Sequence, residues 1–171
     1  PESEEKNIVD KSKLKYMSPY MRKYWKNYRK SQHRLIKKNN FQYPSTLNDY
    51  RIKMLSYLHE SNTKIVLGTD SNMPYVYPGF SIHEELQYMI SAGMTPYEAL
   101  YTGTHAAAEC LNDIDNSGTI TVGKRADLIL LDENPLIDID NLTKKVGVMV
   151  NGKWLSNSKL QKMLDDLVKS Y

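Results

Sequence analysis

One segment constrains this chain more than any other: KIVLGTDS, residues 64–71. Its apolar, β-branched residues run without alternation, the pattern of a short strand buried on both faces. A buried strand must satisfy backbone groups along both edges. The sequence before residue 64 offers no second strand. Either the segment pairs with β structure later in the chain, or its neighbours belong to other sequence. It also ends on Gly68-Thr69-Asp70, which leaves a carboxylate at the strand terminus.

The surrounding pattern is helical on both sides. Residues 1–16 are charged, lack a period and read as irregular. Pro19 suits the first turn of a helix that runs to Lys38, and NNFQYPS breaks it. A second helix runs from about Thr46 to Glu60, with Ser45 or Thr46 as N-cap and Leu47, Met54, Leu55 and Leu58 on its apolar side. NMPYVYPGF reads as a loop. Two capping boxes follow, Ser81 with Glu84 and Thr95 with Glu98, the second with Pro96 at the first helical position. Gly93 ends the helix between them. The helix from Pro96 continues through THAAAECL.

From residue 116 the character changes to β. NSGTITVGKRADLILLD predicts a strand, a tight turn at Gly123-Lys124 and a second strand. VGVMVNGKWL predicts a hairpin, because Asn151-Gly152 suits a type I′ turn. SKLQKMLDDLVKS, residues 158–170, predicts a short amphipathic helix.

Composition narrows the class. The 171 residues are 40% hydrophobic and 25% charged, as in a soluble globular protein. No apolar run approaches the roughly 18 residues that span a bilayer. The PESEEKN start lacks the apolar core of a secretory signal. A single cysteine, Cys110, excludes an intramolecular disulfide and fits a reducing cytoplasm. Without a basic or histidine neighbour it reads as an inert packed thiol.

The net charge of +3 conceals an asymmetry. Residues 11–38 hold eleven Lys or Arg and no acid. Tyr16, Tyr20, Tyr24 and Tyr28 recur every four residues among them, as one helical stripe does. The favoured reading is a helix with a solvated basic face and an aromatic inner face. The alternative is a grip on nucleic acid or another acidic surface, with cations on phosphates and rings on bases.

Read together, LGTDS, PGFSIHEELQYMISAGMTPYEAL, GTITVGKRADLILLDENPLIDI and VMVNGKW resemble the C-terminal part of the metal-dependent amidohydrolase superfamily. The likeness is strongest to its imidazolonepropionase-like and prolidase-like branch. It covers roughly residues 64–155, and its most specific pieces are GTD, AGMTPYEAL and GKRADLILLD in that order.

The resemblance implies an α/β fold: the C-terminal fragment of a TIM-type (β/α)8 barrel, with the C-terminal strands of a small β-sandwich. Residues 1–112 would be barrel, with the eighth strand near 64–70. Residues 113–157 would be sandwich, and 158–171 a C-terminal helix. It implies a hydrolase of C–N bonds in cyclic amides or dipeptide-like substrates, using one or two divalent metals, with zinc expected. The fragment alone would be inactive.

Within that resemblance Asp70 stands at the catalytic end of a barrel strand. There it would bind the metal and carry the proton of the attacking water. On its own, Asp70 is better read as a turn or cap residue after a strand. Thr69 and Ser71 flank it and would hydrogen-bond it in support. His83, Tyr75 and Tyr77 are candidates to contact substrate, since loops at this barrel face carry specificity; ordinary loop packing is the other reading of the tyrosines. The family's HxH pair is absent. His33, His59, His83 and His105 do not stand where further ligands belong, although zinc needs three or four protein ligands. The partners implied are a small-molecule substrate and either the rest of a parent chain or a second copy, because Ile65, Val66 and Leu67 would otherwise be exposed. Neither a membrane nor, in the favoured reading, nucleic acid is expected.

Overall fold

In the computed structural model, residues 12–40, 46–71 and 73–171 are described. Residues 1–11, the candidate cap Ser45 and Asn72 of the loop lie outside them. After a 3-10 turn at Lys13–Tyr16, the first helix (α1) spans Pro19–Lys38. The Ser18 side chain accepts the Met21 N–H at 3.2 Å and Pro19 fills the first turn. The second helix (α2), Leu47–Glu60, starts at Thr46 with no side-chain cap.

The aromatic stripe of α1 does not form its inner face. Tyr20 is 75% exposed and Tyr24 47%, while Trp25 is fully buried. The helix turns through its Met21, Trp25, Tyr28, Gln32 and Ile36 side. The four-residue repeat slips about 40° per step around a 3.6-residue helix, so it cannot hold one face over several turns. One indole outweighs it.

The third helix (α3) spans Ser81–Ser91, and here the expected capping box is absent. Ser81 is already helical. Its hydroxyl accepts the Tyr77 N–H at 2.9 Å, and Glu84 forms an ion pair with Lys13 at 2.9 Å. A tertiary partner took the glutamate that the local pattern assigned to a cap. The C-terminus follows expectation: Gly93 has φ +101° and donates to the Ile90 carbonyl, while Met94 donates to the Met89 carbonyl. Those two bonds are a Schellman closure.

The Thr95–Glu98 capping box is present in full. It opens a helix that stops earlier than expected, giving α4 at Pro96–Thr102 and α5 at His105–Cys110. The break has a packing cause. A Cβ on Gly103 would lie 2.6 Å from the Leu67 side chain, and the Leu67 N–H donates to the Thr102 carbonyl at 3.2 Å. The segment 64–70 thus docks where the helix parts.

That segment is not a buried strand. Among the described residues it pairs with no strand, and the later β segments form their own sheet. Its exposure alternates: Ile65, Leu67 and Thr69 are half-buried, whereas Val66, Gly68 and Asp70 are exposed. Ile65 and Leu67 pack on the main core of Leu86, Met89, Met94, Ala99 and Ile139. Only one face is covered, so only one face reads as interior.

The sheet is antiparallel, in the order β1 (Leu128–Leu131), β2 (Lys145–Val150), β3 (Lys153–Ser156). A 3-10 turn at Ile139–Thr143 precedes β2. Asn151 and Gly152 both have positive φ, as the I′ hairpin requires. The strand expected at GTITV does not form: Ile120 is 89% exposed and Val122 entirely so. The last helix (α6), Asn157–Lys169, is capped by Ser156. Its Leu160, Leu164 and Val168 side is half-buried, and it rests on β2, β3 and the turn at Lys13–Tyr16.

Candidate functional site

The exposed end of segment 64–70 is built by two backbone contacts. The Gly68 N–H donates to Glu85 Oε1 at 3.1 Å, and the Met73 N–H donates to the Asp70 carbonyl at 3.1 Å. Between them Asp70 has φ +53°. Left-handed backbone is tolerated best by Asn and Asp among non-glycine residues. Alternation along the segment puts Asp70 on the same open face as Val66 and Gly68. Thr69 points the other way and is half-buried; Ser71 makes an isolated bridge to Met73. No hydrogen bond links either side chain to the Asp70 carboxylate.

Tyr75 and Tyr77 meet at α1. Their rings lie 5.5 Å and 5.4 Å from the Trp25 ring, the second edge-on, and the Arg29 guanidinium sits 5.6 Å from the Tyr75 ring centre. Tyr77 is 4% exposed. Phe80 stacks on Tyr16 at 5.2 Å. The loop is thereby fastened by rings to α1 and to the 3-10 turn before it.

His83 is half-buried and its charged neighbours are Lys145, Lys13 and Asp140, not Asp70. Burial lowers its pKa, the two lysines lower it further, and Asp140 opposes them. His59 Nε2 is 3.8 Å from Glu98, and His105 Nε2 is 3.7 Å from Glu109, with its ring 4.9 Å from Tyr101. His33 is exposed on α1. Cys110 is exposed rather than packed, because α5 ends at that residue and its turn faces outward. It borders a groove of about 550 Å³ lined also by His59, Lys64, Val66, Tyr97 and Tyr101. That groove lies toward the opposite end of the segment from Asp70.

Among the described residues, no three His, Cys, Asp or Glu side chains come close enough to hold a metal. The Asp70 carboxylate stands exposed, on a face that nothing in the described structure covers.

Glu85 is the residue that sequence reasoning missed. Its role depends on reaching Gly68, 17 positions away, and nothing local signals that contact. Its neighbour Glu84 carried the cap pattern instead.

The sequence profile of the amidohydrolase family matches residues 1–155. The chain belongs to the amidohydrolase family. Within it the likeness is to the imidazolonepropionase-like and prolidase-like branch. An imidazolonepropionase of Streptomyces griseus subsp. griseus is 33% identical over 109 residues, covering 60% of this chain and 26% of the relative. One from Desulfotalea psychrophila is 36% identical over 84 residues, covering 46% and 19%. A crystallised Xaa-Pro dipeptidase with methionine bound in its active site superposes with a TM-score of 0.57 at 30% identity, over 62% of this chain and 25% of its own. A bottromycin amidohydrolase reaches 0.69 over 94% of this chain and 35% of its own; at 21% identity that shows the fold alone. The chain spans about a quarter or less of the curated relatives it matches.

Proposed function

We propose that this amidohydrolase-family chain is the C-terminal part of a cytoplasmic metal-dependent hydrolase that cleaves C–N bonds in cyclic amide or dipeptide-like substrates. Segment 64–70 is the eighth strand of its barrel within residues 1–112, and residues 113–157 are a share of its sandwich. The observation that carries this reading is the open face and edge of that segment. It ends on an exposed Asp70, and among the described residues Ile65, Val66 and Thr69 have no backbone hydrogen-bond partner. Such an edge is a ready template for pairing with another strand. The β1–β3 sheet supports the same reading, since Ile129, Val150 and Trp154 are each more than two-fifths exposed.

A divalent metal, zinc by preference, would supply Lewis acidity and a water of lowered pKa. Asp70 would hold one coordination position, and its carboxylate would be the group that takes up the proton of the water and returns it to the departing nitrogen. Tyr75 and Tyr77 pack on Trp25 and hold the loop to α1, and His83 faces Lys145, Lys13 and Asp140, so the substrate contacts of this reading fall to groups outside these three. The remaining ligands come from the rest of a parent chain or from a second copy.

Two measurements test this. Incubated with zinc and a cyclic imide or Xaa-Pro dipeptide, the 171-residue chain alone should show no turnover. Turnover abolished by a chelator would sink the incomplete-site reading. In the full-length protein Asp70→Asn should abolish hydrolysis and lower metal content; wild-type turnover in that variant refutes the role of Asp70.

A second reading has its own observation. Lys23, Lys26, Lys30, Arg34, Lys37 and Lys38 are exposed and have no ion-pair partner among the described residues, beside the exposed Tyr20 and Tyr24. That face suits a polyanion such as single-stranded nucleic acid. Binding at about 50 mM salt that weakens as salt rises would favour it. An absence of binding there removes it.

A further inference from the structure

We propose that Glu85 is a positioning residue for Asp70, holding from α3 the turn that presents the carboxylate. This rests on the reading of Asp70 as a metal ligand. Glu85 belongs to the first turns of α3, the helix that supplies Leu86 and Met89 to the core. Glu85 stands one turn before Met89 on the side of α3 that meets segment 64–70.

One oxygen of Glu85 accepts the Gly68 N–H at 3.1 Å. The other is buried and has no hydrogen-bond partner among the described residues. A carboxyl oxygen buried without a partner opposes folding, so a methionine or leucine would fill the same space at less cost. What only an acceptor here can do is fix the Gly68 amide. In segment 64–70 just two backbone N–H groups are held among the described residues: Leu67 by the Thr102 carbonyl and Gly68 by Glu85. The second is the last fixed point before Asp70. Beyond it the chain turns into left-handed backbone, and the next fixed point is the Asp70 carbonyl bonded to Met73. Asp70 therefore hangs between two pins, and Glu85 sets the one nearer the core. A ligand has to be held within about half an ångström of its working position, which is the task of such supporting groups.

The test compares Glu85→Ala with Glu85→Gln, which keeps an acceptor oxygen. In the 171-residue chain, NMR hydrogen exchange at the Gly68 and Met73 amides should quicken about tenfold in Glu85→Ala and return toward wild type in Glu85→Gln. Amides in the body of α3 should not change. Unchanged exchange at both positions overturns the proposal. Quickening that spreads through α3 also overturns it, because it marks general loosening.

In the full-length protein, zinc retention against a chelator should fall about tenfold in Glu85→Ala and recover in Glu85→Gln, in line with the usual effect of losing a supporting partner. Retention that responds to Asp70→Asn but not to Glu85→Ala overturns the positioning role and leaves the metal site standing. Retention indifferent to both overturns the metal reading itself, and the role of Glu85 with it.

Discussion

Trp25 is the residue whose removal should most disturb the molecule. Among the described residues it is the only large side chain with no exposure, and the rings of Tyr75 and Tyr77 lie within 5.5 Å of it. Trp25→Ala leaves a cavity that α1 and the loop cannot both close. Core Trp→Ala changes cost about 3–5 kcal/mol. For a chain of this size that lowers Tm by roughly 6 to 20 °C. The indole also carries a buried Nε1–H with no partner among the described residues, which by itself opposes folding by about 1–3 kcal/mol. Trp25→Phe sheds that cost along with part of the contact surface. The two offset, and Trp25→Phe should stay within about 1.5 kcal/mol of wild type. Urea unfolding followed by circular dichroism reads both variants. Limited proteolysis reads the loop, where cleavage within residues 73–80 should rise in Trp25→Ala only. A Trp25→Ala chain within about 1 kcal/mol of wild type, with an uncleaved loop, would refute the claim that the indole fastens the loop to α1.

Four further outcomes are expected. In Gly147→Ala the new methyl meets the Trp154 ring and sits 2.7 Å from the Leu155 carbonyl oxygen, so thermal melts should show a loss of about 1–3 kcal/mol. Thr95→Ala removes the cap of α4 and should cost about 1 kcal/mol. Hydrogen bonds from Thr95 also hold the Glu98 pKa below its ordinary value. The stability they add is present above the unfolded-state pKa and is lost as pH falls through the lower folded value, so the variant should show a weaker acid dependence in the same melts. His83 acts in the same direction at higher pH. Its folded pKa is below 6.5, chiefly through burial, so the folded state resists the proton and stability should decline as pH drops below about 6.5. His83→Gln should flatten that decline, and an unaltered profile refutes the assignment. Cys110 should react in the native chain with a colorimetric disulfide reagent at one thiol per molecule, without denaturant.

How much of this was legible in the sequence depended on the reach of each interaction. Pro19, the Thr95–Glu98 box, Gly93 and Asn151-Gly152 acted as read because each needs only a few neighbouring residues and one preferred backbone geometry. The Ser81–Glu84 box carried the same local pattern and failed, because Lys13 competed for the glutamate across 71 positions. The tyrosine repeat of α1 failed because one fully buried indole set the inward side. GTITV has strand composition, but among the described residues no strand lies beside it, and without cross-strand partners that preference has nothing to act on. At the site, Asp70 was visible through its place after an apolar run. Glu85 was not, because a 17-residue reach leaves no periodic mark.

By itself, then, the sequence determined the family, the order of helices before β structure, and the carboxylate at the end of segment 64–70. Those follow from composition, short-range caps and turns, and an ordered set of motifs. Only the tertiary structure decided which face of α1 is buried, where the helix after Pro96 breaks, and which side chain holds the turn at Asp70. Each of these is set by contacts between segments distant in sequence, where packing and burial outweigh local preference by several-fold in free energy.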